Sequence, residues 1–167
     1  MQLIDEGFDG RVLFTADEEI GLSWRYTKSY LDSAGIQTDN LIVLDTTPYP
    51  NLDAIDRGVI ALRNRDAFAE FNAGLVSALR DSCDSERIGY EMKDEIIAAA
   101  NASSHSKKPK SLGKTELGHL VAETGGKYNG TMVQLPSTNY HTNQETTSVR
   151  ALANYHFALQ LLLEKIG

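Results

Sequence analysis

The strongest constraint on the fold is a repeated pattern in which a short apolar run stops abruptly at polar, mostly acidic residues. Arg11-Val12-Leu13-Phe14-Thr15-Ala16 follows the turn signal Asp9-Gly10 and ends at Asp17-Glu18-Glu19. Leu41-Ile42-Val43-Leu44 ends at Asp45 before Thr46-Thr47-Pro48-Tyr49-Pro50, where two prolines bar regular continuation. Thr131-Met132-Val133-Gln134-Leu135 is stopped by Pro136 and opens into a polar loop containing His141. Runs this short, β-prone and bounded by turn residues read as buried strands. Residues 22–34 between the first two are helix-compatible and stop near Gly35, which predicts a parallel strand, helix, strand unit.

The remaining chain extends the pattern. Residues 58–63 read as a strand, and Phe68, Phe71, Leu75 and Leu79 place a helix over 67–82. A short strand over 87–90, a helix over 94–100, a polar lysine-bearing loop over 101–112 and a helix over 114–124 closed by Gly125-Gly126 follow. Val149, Leu152, His156, Leu159, Leu163 and Ile166 step by three and four, predicting a long terminal helix capped by Thr147 or Ser148. No repeat or linker divides the chain, so residues 1–167 are expected to form a single domain of the α/β class.

Composition bounds the function. Of 167 residues, 41% are hydrophobic and 23% charged, as in an ordinary globular domain. The net charge of −7 argues against a nucleic-acid backbone or an anionic membrane as partner. No apolar run approaches the roughly 18 residues that span a bilayer. The one cysteine, Cys83, cannot form an internal disulfide, and the first residues lack a signal peptide's basic and apolar regions, which together predict a cytoplasmic protein.

Polar clusters at the carboxyl ends of strands are where open α/β sheets bind ligands. Two carboxylates and an imidazole suit zinc, and a further carboxylate that is not a ligand can accept a proton from an attacking water. Adjacent glutamates can divide these tasks if the chain leaves extended geometry between them. The acidic run is equally well a solvated helix start complementing the macrodipole, Asp45 a turn residue, and His141 loop decoration. His156 falls on the apolar stripe of the last helix, His105 lies among Ser and Lys, and His119 is a helix residue with no obvious partner.

Taken together and in this order, the clusters resemble the co-catalytic zinc aminopeptidase and deacylase superfamily, most closely its glutamyl-aminopeptidase-type branch. Phe14 to Leu22 resembles the family's paired-glutamate segment, Leu41 to Asp45 its next metal-bearing strand, and Leu135 to Glu145 its closing Pro, aromatic-His and Glu pattern. Thr115-Glu116 is a weaker match. The resemblance implies a three-layer sandwich with a mostly parallel or mixed central sheet flanked by helices, lacking the family's N-terminal strands.

It further implies Glu18 as general base, Glu19 and His141 as ligands of one metal and Asp45 as a ligand of the other. The metals implied are two zinc ions, with cobalt or manganese as substitutes, and the reaction is hydrolysis of a peptide or N-acyl amino acid by a metal-bridging hydroxide. Aminopeptidase, carboxypeptidase and deacylase activities all stay open. The family's earlier His-x-Asp segment and bridging aspartate have no counterpart in the sixteen residues before Asp17; Asp5 and Asp9 precede the first strand and are not assigned as the bridge. The partial set implies a homo-oligomer or a complementing chain, or else an inactive form of the fold kept as an interaction or assembly module.

Overall fold

The computed structural model describes residues 10–49, 52–104 and 108–166. Asp5, Asp9 and His105 lie outside them. A single 3-10 turn, Glu18–Ile20, leads into helix α1 (Ser23–Ser33) and strand β1 (Thr38–Pro48). Helix α2 (Leu52–Asp56), strand β2 (Ile60–Leu62), helix α3 (Ala73–Glu86), strand β3 (Tyr90–Met92) and helix α4 (Lys93–Ser103) follow. Helix α5 (Glu116–Glu123), strand β4 (Tyr128–Ser137) and helix α6 (Val149–Ile166) complete the order.

Among the described residues four strands form one mixed sheet in the order β1-β4-β2-β3. β1 runs parallel to β4, β4 antiparallel to β2, and β2 parallel to β3. The parallel unit with a helical crossover is therefore β2-α3-β3. The expected unit built on residues 11–16 does not form: that segment is not a strand, and Val12, Leu13 and Phe14 are exposed, Phe14 at 91%. An apolar run becomes a strand only when an edge satisfies its backbone groups and a face covers its side chains.

Helices α3 and α6 pack against each other and on β4, while α1 and α5 form a second pair, with α5 on β4. This agrees with the expected sandwich of helices around a sheet. The main core joins Ile60 and Leu62 of β2, Met132 and Val133 of β4, Leu75 and Leu79 of α3, and Ala158 and Leu162 of α6. Leu31, Leu120 and Tyr128 make a smaller cluster between α1, α5 and β4.

Two helix starts show how local chemistry sets the boundaries. Asn72 caps α3, accepting the Gly74 and Leu75 N–H groups at 2.9 and 3.2 Å, so the helix begins there and not at residue 67. Residues 66–69 are instead folded around the buried Asp66, whose Oδ1 accepts from the N–H groups of Phe68 and Ala69. Thr115 caps α5 by accepting the Gly118 N–H at 3.1 Å, and its own hydroxyl donates to Asp66 Oδ2 at 2.9 Å.

The pairing of β1 with β4 carries one tight point. The register shifts between Thr38 and Leu41, and at Gly130 opposite Leu41 a Cβ would meet the Leu41 carbonyl oxygen, a backbone atom with little room to move. Gly130→Ala should therefore lower stability by about 1–3 kcal/mol, the usual penalty of overpacking. Gly89→Ala, whose Cβ would have ordinary contacts with Val59, should cost less. Urea unfolding of the two variants checks the difference.

Candidate metal centre

Glu18 and Glu19 occupy the 3-10 turn, entered through Asp17 in the left-handed region at φ 61°. Asp17 Oδ2 accepts from the Tyr26 hydroxyl at 2.7 Å, tying the turn to α1. The chain thus leaves extended geometry immediately before the two glutamates, and they face different surroundings.

Glu19 meets His141. Its Oε2 lies 3.1 Å from His141 Nε2, with side-chain exposures of 71% and 52%. His141 sits in the loop after β4, itself at φ 61°, with the Tyr140 ring stacked on the imidazole at 3.8 Å between centroids. Glu18 has no such partner among the hydrogen bonds and ion pairs of the described residues. Partial desolvation raises its pKa, and the negative charges of Asp45, Glu19 and Glu116 push the same way, opposed by His141. A carboxyl so placed holds a proton more readily than an ordinary glutamate.

Asp45 lies within β1, not at its end, because the pairing with β4 continues to Pro48 opposite Ser137. Proline ends the strand at its last residue on the outer strand of the sheet, where its missing N–H costs no ladder bond. Asp45 Oδ1 accepts the Thr46 N–H at 2.7 Å and Oδ2 accepts from Gln134 Nε2 at 3.0 Å. Burial raises its pKa against these bonds and the positive charges of Arg63 and Lys93.

Behind Asp45 stands a buried relay that patterning did not single out. The Arg63 guanidinium donates from Nε to Gln134 Oε1 at 2.6 Å and from Nη1 to the Leu112 carbonyl at 2.5 Å. Gln134 thereby accepts from Arg63 and donates to Asp45, which fixes the orientation of the carboxylate. The available signal was a glutamine inside an apolar run, since a buried amide needs partners for both its ends. Lys93 reaches Thr47 Oγ1 from the start of α4, and burial pulls its pKa down to about 8.

His119 does have partners: it stacks with Trp24 at 6.2 Å and lies 4.2 Å from the Phe68 ring. His156 is on α6, with Nε2 buried and without a hydrogen-bond partner among the described residues. A surface groove of about 500 Å³ lined by Trp24, Arg25, Lys28, Asp32 and Glu123 contains none of the four candidate residues.

A carboxylate and an imidazole in contact are the donor types zinc prefers, and a catalytic zinc normally takes three protein ligands. Among the described residues no group of three such donors stands close enough together to hold a metal ion. Glu19 and His141 therefore fit a zinc ion in kind, and two donors are fewer than a catalytic zinc takes.

No protein-family model matches the sequence, and no curated protein matches it. Solved structures do. A TET aminopeptidase from the marine sediment archaeon Thaumarchaeota archaeon SCGC AB-539-E09 superposes with a TM-score of 0.66 at 16% identity, over 99% of this chain and 42% of that one. The fold is one found in aminopeptidases. Aminopeptidase APDkam598 from the archaeon Desulfurococcus kamchatkensis gives 0.64 at 18% identity, covering 90% of this chain and 40% of that one. PhTET1-12s, a dodecamer in the asymmetric unit, gives 0.60 at 15% identity, covering 97% and 43%. The chain thus spans about two fifths of each of these three structures. Among the described residues no helix is long and apolar enough to cross a membrane.

Because the Glu19–His141 pair is largely exposed, Glu19→Gln and His141→Ala should each change stability by no more than about 1 kcal/mol. Arg63→Met should be costlier, since it leaves the buried Gln134 acceptor unpaired at about 1–3 kcal/mol and also removes the bond to the part-buried Leu112 carbonyl. Denaturant melts of the three variants test whether the exposed pair and the buried relay differ in this way.

Proposed function

We propose that this chain contributes part of a metal-dependent site for hydrolysing peptide or amide bonds, with Glu18 as general base and Glu19, Asp45 and His141 as metal donors. The contact between Glu19 and His141, brought together from the two ends of the fold at 3.1 Å, carries the reading. The aminopeptidase fold of the matched structures supports it.

The chain's own groups divide the work. Glu19 and His141 would offer one carboxylate oxygen and one imidazole nitrogen to one ion, and Asp45, oriented by Gln134 and Arg63, would offer a carboxylate to the other. Zinc, or cobalt or manganese in its place, supplies Lewis-acid polarisation of the substrate carbonyl and a more acidic water when bound. Glu18 takes the proton from the attacking water on its carboxylate and passes it to the departing amine. Its raised pKa favours the first of these transfers, because a more basic carboxylate accepts a proton more readily. The substrate class is a peptide or an N-acyl amino acid.

The remaining donors come from outside the described residues, in a homo-oligomer or from a complementing chain. The outer position of β1 in the sheet and the exposed Val12, Leu13 and Phe14 support such an assembly. In the assembled protein supplied with zinc or cobalt, Glu18→Gln should lower kcat on an aminoacyl anilide by at least about 100-fold, the scale of a lost general base. Metal content should stay at the wild-type level. Undiminished turnover in Glu18→Gln would remove Glu18 from the mechanism, and a complete assembly with neither metal nor turnover would leave a fold serving only as an assembly module.

A further inference from the structure

We propose that Glu145 is the positioning residue that sets His141 against Glu19, by clamping the loop after β4 to the carboxyl end of β4. The proposal rests on the reading of His141 as a metal donor and adds to it the group that holds the imidazole in place.

The loop needs such a device. Asn139 and His141 have φ values of 53° and 61°. Each non-glycine residue in that region costs on the order of 1–2 kcal/mol and persists only where its surroundings over-determine it. Hydrogen bonds between Thr138 and Thr146 at 2.9 and 3.1 Å close the base of the loop, and Asn139 O accepts from the Thr142 N–H at 3.1 Å and its hydroxyl at 2.6 Å. These bonds shape the loop but do not aim it at the sheet.

Glu145 does. Its Oε1 accepts from Ser137 Oγ at 2.5 Å, at the end of β4, and its Oε2 accepts the backbone N–H of His141 at 3.3 Å. One carboxylate thus gathers a donor from the end of the strand leading into the loop and another from His141 itself, and a group that only accepts suits this convergence. A glutamine of the same size would turn a donor toward one of these donors and break the clamp.

The test compares wild type, Glu145→Gln, Glu145→Ala and His141→Ala in the full chain. Without metal, amide exchange at His141 should be about tenfold faster in both Glu145 variants, reflecting the loss of one hydrogen bond to a charged acceptor. In competition titrations with zinc alone, both should bind about 10- to 100-fold more weakly than wild type, the usual effect of removing a group that orients a ligand. Their melting temperatures should stay close to that of wild type.

Unchanged exchange at His141 in both variants overturns the clamp. So does a fall in melting temperature with zinc affinity unchanged, which marks a purely structural residue. If wild type and His141→Ala bind zinc equally poorly, the metal reading of His141 fails instead, and the metal-free exchange alone supports or overturns the clamp.

Discussion

The parallel pairing of β1 with β4 is the contact on which the rest of the structure depends. It joins Thr38–Pro48 to Tyr128–Ser137, segments far apart in sequence, and its close approach at Gly130 and Leu41 leaves no space for a side chain. Through it, Asp45 is set beside Gln134 and the loop carrying His141 is delivered next to the strand carrying Asp45. Without that register the acidic turn at Glu18 and Glu19 would face no imidazole.

Much of this was legible from the chain alone. The central apolar run of β1, the run of β4 and the apolar stripe of α6 all became the elements their periodicity predicts, because each combines a local preference with a core to face. Residues 11–16 carry the same kind of pattern and are not a strand, which shows that an apolar run specifies a surface to be covered and not the edge that covers it. Phe68 and Phe71 have helical spacing, yet Asp66 folds that segment into a turn and Asn72 caps the helix later. There the hydrogen bonds of two short polar side chains outweigh periodicity.

The candidate site was legible in part for a related reason. Strand ends and loops bearing Asp, Glu and His can be read from sequence, so Glu19 and His141 were nameable before their contact was seen. What orients them was not. Arg63, just past β2, and Gln134 of β4 form a buried relay, and Glu145 gathers its partners from the end of β4 and its own loop. Such partnerships follow from strand order and register, and a single chain read in sequence carries neither.

The most direct test of the central claim is the zinc-edge X-ray absorption spectrum of the protein loaded with zinc, recorded for wild type and His141→Ala. The account predicts imidazole scattering in the wild-type spectrum and its loss in His141→Ala. A wild-type spectrum without imidazole, or one unchanged by the substitution, would contradict it.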